Sequence, residues 1–164
     1  MKSNLDFSIS KASKILFFFI LSVFYLTDAE AQKVNSTGPG KTTVYGDFGG
    51  GITRGLVSLN LERKLSSSKN LSWYARGGVG GGGLDETTEG PGFLGGITML
   101  TGMGNNHLEL NGGVFIGRNS DFVDELFYMP IADIGYRYQK PEGGIIFKTG
   151  VGFLGIRFGL GYAF

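Results

Sequence analysis

The single histidine is the first residue that could do chemistry. His107 is the only histidine among 164 residues, and the chain contains no cysteine. A Ser–His–acid arrangement is conceivable with Ser72 and with Glu109, which lies two residues from His107 on the same predicted strand face. A zinc site would need roughly three or four ligands, and the sequence offers no second histidine. Because this position of Glu109 is equally typical of buried ion pairs, we predict no catalytic residue, no metal site and no enzyme.

A glycine motif resembles part of a nucleotide site. Gly78, Gly80 and Gly83 match the pattern G-x-G-x-x-G, which binds a phosphate when a helix begins directly after it. The next residues are Leu-Asp-Glu-Thr-Thr-Glu-Gly-Pro. This segment is not expected to begin a helix, and its carboxylates would repel a phosphate. We therefore predict no nucleotide and no other cofactor.

Two predicted loops carry carboxylates that could ligate a divalent cation. These are Asp85, Glu86 and Glu89 in one loop and Asp121, Asp124 and Glu125 in the other. Their spacing differs from that of a calcium-binding EF-hand loop. Since acidic residues in exposed loops are usually solvated, we predict no metal at either loop.

Eight charged residues share one face of the predicted strands. The acidic ones are Asp47, Glu62, Glu109 and Asp133, and the basic ones are Arg76, Arg137, Lys148 and Arg157. On a soluble protein these residues would face water and their signs would not need to balance, whereas charges buried in a closed barrel must pair. Turning one basic residue toward lipid would cost about 2–4 kcal/mol at mid-membrane. The pattern predicts a luminal network of ion pairs.

Large apolar residues alternate with small or polar ones along eight segments that would position these charges. The clearest segment is the last, where Ile156, Phe158, Leu160, Tyr162 and Phe164 are separated by Arg157, Gly159, Gly161 and Ala163. Alternation with a period of two is typical of a half-buried strand. We predict an all-β fold, an eight-stranded antiparallel transmembrane β-barrel. We expect Tyr45, Tyr74 and Phe115 to fill its lumen.

The predicted connections differ between the two ends of the barrel. The sequence predicts tight turns at residues 65–70, 102–106 and 140–143. It predicts longer acidic loops at residues 84–92 and 118–127. Short turns at one end and longer loops at the other are typical of outer-membrane barrels. Aromatic residues near the predicted strand ends fit interfacial girdles; they are Trp73, Tyr138, Tyr162 and Phe164 at the turns and Phe93, Tyr128 and Phe153 at the loops.

The first 31 residues have the three parts of a secretory signal. Lys2, Lys11 and Lys14 precede an apolar run over residues 15–26, and Ala29-Glu30-Ala31 supplies a cleavage site. The run is shorter than the roughly 20 residues of a spanning helix. We predict a cleavable signal peptide at 1–31, a flexible lead-in at 32–42 and the barrel at 43–164.

The net charge of the chain is +1. Nucleic-acid-binding proteins usually have a strongly basic surface, so we predict no nucleic-acid partner.

Together these features resemble small bacterial outer-membrane β-barrel proteins. The C-terminal insertion signal of that family is matched by Phe158, Leu160, Tyr162 and Phe164. The resemblance implies secretion through the inner membrane, insertion into the Gram-negative outer membrane by the barrel-assembly machinery, and contact with outer-membrane lipid. It leaves the extracellular partner unknown.

The expected role is structural or surface-interacting, with the lumen closed by paired charges. Three alternatives stay open at this point. They are a narrow passive pore, a membrane-embedded lipid-modifying enzyme that uses His107 or Ser72, and a secreted soluble lipid-binding barrel.

Overall fold

The computed structural model describes residues 39–51, 54–85, 88–119 and 125–164. The predicted signal peptide and residues 32–38 of the predicted lead-in therefore lie outside the described residues. Within the described ranges, no helix is long and apolar enough to cross a membrane.

The chain forms eight strands in sequence order. They are β1 (Thr42–Gly50), β2 (Gly55–Ser68), β3 (Leu71–Asp85), β4 (Thr88–Thr101), β5 (Asn106–Arg118), β6 (Leu126–Tyr138), β7 (Gly144–Gly152) and β8 (Gly155–Ala163). Each strand pairs antiparallel with its neighbour in the chain, and β1 pairs with β8 to close the barrel. The predicted all-β, eight-stranded antiparallel barrel is confirmed.

The facing of the side chains follows the alternation in the sequence. Along β2, Ser58, Asn60 and Glu62 are buried, whereas Val57, Leu59 and Leu61 are exposed on the outer wall. Because the side-chain period of a strand is two, a slip of one residue would exchange the two sets. The sequence pattern thus determines which residues fill the barrel.

Close packing of the strands explains some of the inward glycines. A Cβ atom at Gly80 would contact the carbonyl oxygen of Val57 and would lie 2.8 Å from the Cα of Ser58 on β2. At Gly155, the first residue of β8, a φ of 99° lies in the left-handed region that glycine tolerates best. Both positions therefore favour glycine for steric reasons.

Several predicted connections are shorter than the sequence suggested, and two of them differ most. Residues 84–92 were expected to form a loop, but β3 continues to Asp85 and β4 begins at Thr88, with Gly83 paired to Glu89. Likewise the turn predicted at 65–70 is reduced to Lys69 and Asn70 between β2 and β3. The physical reason is that strand pairing uses main-chain groups, which polar and acidic residues supply as well as apolar ones.

The strands are unequal in length. Strands β2 to β6 have 13 to 15 residues, whereas β7, β8 and β1 have nine each. We call the end with the β2–β3, β4–β5 and β6–β7 connections the turn end and the opposite end the loop end. Pairing between β6 and β7 covers only Asp133 to Tyr138 of β6. The wall is therefore taller at the loop end on the side of β3 to β6.

Candidate functional site: the charged interior of the barrel

All eight charged residues predicted for the lumen lie inside the barrel. Their side chains are at most 9% exposed. Four of them are fully buried, those of Glu62, Glu109, Arg137 and Lys148. The residues come from β1, β2, β3, β5, β6, β7 and β8, because each occupies an inward position of its strand. We call this set the charge network.

Glu62 on β2 is the hub of the charge network. The Nη1 of Arg137 lies 2.6 Å from its Oε2, and the Nζ of Lys148 lies 3.4 Å from its Oε1. Three hydroxyl groups also donate to this carboxylate, those of Thr43 at 3.2 Å, Tyr45 at 2.6 Å and Thr98 at 2.8 Å. Since Thr98 lies on β4, every strand of the barrel contributes to the network or contacts it.

Glu109 on β5 is a second centre. Its Oε1 accepts from the Nη2 of Arg157 at 2.6 Å and from the Nδ2 of Asn111 at 2.6 Å. The Nζ of Lys148 lies 3.0 Å from the same oxygen, and the Nη1 of Arg137 lies 3.4 Å from Oε2. Arg137 and Lys148 therefore each join Glu62 to Glu109.

Two aspartates complete the charge network toward the loop end. Asp47 accepts from Arg76 at 2.9 Å and from Arg157 at 3.2 Å. The Nη2 of Arg157 also lies 2.8 Å from Oδ1 of Asp133. One guanidinium on β8 thereby connects carboxylates on β1, β5 and β6.

Aromatic side chains fill the space that the charges leave. Tyr45, Tyr74 and Phe115, which were expected to occupy the lumen, are buried there. The Nζ of Lys148 lies 3.7 Å from the centroid of the Tyr45 ring, a distance suited to a cation–π contact. The charged layer is thus packed as well as paired.

Above the charged layer, the interior becomes apolar. A cluster of buried side chains fills it toward the loop end, formed by Leu56, Leu94, Phe115, Phe127, Met129 and Ile131. Apart from Phe115, the sequence reasoning missed these residues. The signal was available, because Leu56 lies two positions before the inward Ser58 and continues the same period of two.

A cavity of about 20 Å³ lies between the charge network and the β7–β8 turn. Its lining includes the Asp47 and Arg157 side chains, whose Oδ1 and Nε atoms have no hydrogen-bond partner. Such a volume accommodates about one water molecule.

The residues considered for catalysis are engaged separately. The ring nitrogens of His107 face the backbone carbonyls of Thr101, at 2.8 Å, and Gln139, at 3.2 Å. The Ser72 hydroxyl lies 2.9 Å from that of Ser67, while Glu109 belongs to the charge network. His107 on β5 therefore links the last residue of β4 to the residue that follows β6.

Part of the predicted lead-in is fixed at the turn end. Pro39 and Gly40 are buried, and the Tyr74 hydroxyl donates to their carbonyl oxygens at 3.2 Å and 3.1 Å. The amide of Lys41 donates to the carbonyl of Phe164 at 3.0 Å. These residues cover the lumen beneath the charged layer.

The candidate cation ligands in the connections do not form one described group. Glu86, Asp121 and Asp124 lie outside the described residues, as does the side chain of Asp85. Glu89 and Glu125 are both exposed. The carboxylates with described partners are therefore those of the charge network.

A comparison of two lysines tests the charge network. Lys148→Ala is expected to destabilise the barrel by about 2 kcal/mol, below the roughly 3–5 kcal/mol of a fully broken buried pair, because Arg137 still contacts Glu62 and Glu109. The control is Lys69→Ala in the exposed β2–β3 turn, with an expected change within about 0.5 kcal/mol. Urea unfolding of the folded chain in lipid vesicles measures both. Equal midpoints for the two variants would contradict a stabilising network.

Comparisons with protein families, with curated proteins and with solved structures find no match to this chain. A function must therefore be inferred from the wall and the interior of the barrel themselves.

Proposed function

We propose that this protein is an integral β-barrel of a Gram-negative outer membrane with a structural or surface-interaction role. The observation that carries the proposal is the inverted polarity of the barrel, which is apolar outside and charged inside. Exposed large apolar residues occur on every strand, among them Phe48, Leu59, Val79, Phe93, Ile116, Ile134, Val151 and Leu160. Soluble monomers rarely expose contiguous apolar patches above a few hundred Å².

Strand length also supports a spanning barrel. The shortest strands, β1, β7 and β8, have nine residues each, and a tilted transmembrane strand needs about 9–11. Aromatic residues lie exposed near both ends of the strands, such as Trp73 and Tyr162 at the turn end and Phe93 and Tyr128 at the loop end. This arrangement is typical of the aromatic girdles at the two membrane surfaces.

The filled interior favours a closed lumen over a narrow passive pore. The charge network crosses the barrel, and the buried rings of Tyr45, Tyr74 and Phe115 occupy the remaining space. A conducting pore would instead need a continuous track of solvated, unpaired groups. A secreted soluble lipid-binding barrel is disfavoured because it would place its apolar residues inside.

The C-terminal strand supports insertion by the barrel-assembly machinery. Phe158, Leu160, Tyr162 and Phe164 all lie on the outer wall and are at least half exposed. Three of these side chains form one row on β8, since alternate residues of a strand share a face, and Phe164, directly after the strand, continues the same spacing. A row on the outer wall is accessible to a protein that recognises the strand before closure.

Fractionation tests the proposed location. We expect the full-length chain to sediment with the outer membrane and to remain there after washing with sodium carbonate. In detergent gels the unheated protein should migrate as a compact species that shifts on boiling. Recovery from the periplasm or medium without detergent would contradict the proposal and favour the soluble barrel.

A further inference from the structure

Strand β6 extends beyond its partner at the loop end. It pairs with β5 along its whole length from Leu126, but with β7 only from Asp133 onward. The amide of Phe153 donates to the carbonyl of Ala132 at 2.9 Å, just before this pairing begins. In the part of the chain that the structure describes, residues 126–131 have a strand on one side only. We call this segment the open edge.

The open edge presents a defined set of main-chain groups. The N–H and C=O of one strand residue point to the same side, and successive residues alternate between sides. Because the Ala132 carbonyl faces β7, the groups of Leu126, Tyr128 and Pro130 also face that side. Pro130 has no N–H, so the open edge offers three carbonyls and the two N–H groups of Leu126 and Tyr128.

The open edge is held in the strand conformation from within. Phe127 and Met129 point inward and are buried in the apolar cluster, whereas Leu126 and Tyr128 are 57% and 61% exposed beside the free groups. Its ladder to β5 is also complete. A strand that is already ordered loses little further freedom when a peptide pairs with it.

The position of the open edge rests on the proposed function. Since nine-residue strands are long enough to span the membrane, the additional residues of β6 begin at the hydrated membrane surface, where Tyr128 lies, and continue beyond the hydrocarbon region. Water can solvate unpaired main-chain groups there, which hydrocarbon cannot. An unpaired strand edge in water is a template for another strand.

A second copy in the same membrane does not fit this edge. Strands of such barrels tilt by about 35–45°, and two copies related by an axis along the membrane normal share one up-and-down orientation. Their β6 strands would then cross at about 70–90°, which prevents ladder formation. A partner that approaches from outside the cell is not subject to this tilt, so its strand can align with β6.

Charges at the two ends of the open edge specify the partner further. The exposed Arg54 stacks on Phe153, with its guanidinium carbon 4.5 Å from the ring centroid, next to the end at Ala132. The exposed Glu125 precedes Leu126 at the other end. We propose that the open edge binds an extended peptide segment of an extracellular protein as an added strand, with an acidic residue toward Arg54 and a basic residue toward Glu125.

The probe is a fluorescein-labelled peptide, acetyl-Glu-Val-Thr-Val-Thr-Val-Lys-amide, added to the full chain folded in phosphatidylcholine vesicles. Tyr128→Pro removes one N–H of the open edge, and Pro130 already occupies an equivalent position, so β6 should still fold. We expect roughly tenfold weaker binding by anisotropy. The control Tyr128→Ala keeps the N–H and should change the affinity by less than about twofold.

Two further readouts support or overturn the proposal. On peptide binding, the Leu126 and Tyr128 amides should become protected from hydrogen exchange. Arg54→Glu should weaken this peptide and favour one whose first residue, Glu, is replaced by Lys, because Glu125 still prefers the Lys at the other end. Equal binding by Tyr128→Pro and wild type, or no binding at about 1 mM peptide, would overturn the proposal although the barrel is folded. Failure of the wild-type chain to insert into vesicles would contradict the proposed function itself.

Discussion

Replacing Glu62 with alanine is expected to destabilise the barrel by about 5 kcal/mol, at the upper end of the effect of breaking a buried ion pair. The substitution leaves Arg137 and Lys148 to share Glu109, since both contact Glu62 in the native interior. It also removes the acceptor of the hydroxyl groups of Tyr45 and Thr98. A buried cation without sufficient counter-charge is far less stable than one in water.

Urea unfolding in lipid vesicles measures the effect of Glu62→Ala. Glu142→Ala is the matched control, because Glu142 is an exposed carboxylate in the β6–β7 connection, and its change should stay within about 0.5 kcal/mol. A Glu62→Ala variant as stable as the control would show that the charge network does not hold the barrel together.

Placing a charge on the outer wall is expected to have the second-largest effect. Leu59 lies in the run Val57, Leu59 and Leu61 on β2 and is 58% exposed. If this wall faces lipid, Leu59→Arg should cost about 2–4 kcal/mol near the membrane midplane. On a water-exposed wall the same change would stay within about 0.5 kcal/mol.

Leu65→Arg is the control for this experiment. Leu65 is similarly exposed, at 63%, but lies near the turn end of β2, where the expected cost is about 0–1 kcal/mol because arginine can reach the membrane surface. Unfolding from vesicles should therefore separate the two variants. Equal, small effects would remove the main support for the membrane location.

The facing of each strand could be predicted from the sequence because a period of two is a local property. Leu59 and Glu62 are assigned to opposite faces without any knowledge of the neighbouring strands. The same alternation identified the eight charged residues of the interior. It could also have identified Leu56 and the rest of the apolar cluster, had the period been followed to the strand ends.

The partners within the interior could not be predicted in the same way. Arg157 and Glu109 are 48 positions apart, and their contact depends on strand register and on the stagger of the closed barrel. The ends of β3 and β4 were also missed, because an acidic and glycine-rich segment can still form a main-chain ladder. Local composition carries little information about either property.

The contacts of Arg157 have a consequence for how the chain reaches its native state. The guanidinium of Arg157 on β8 contacts both Glu109 on β5 and Asp47 on β1. Asp47 and Arg157 are 110 positions apart in the sequence. If the barrel lies in a membrane, as proposed, an intermediate in which β1 and β8 have not yet paired leaves these carboxylates without that cation in a medium that solvates ions poorly. We therefore expect half-closed species to be sparsely populated, so that membrane insertion and the pairing of β1 with β8 occur as one cooperative step.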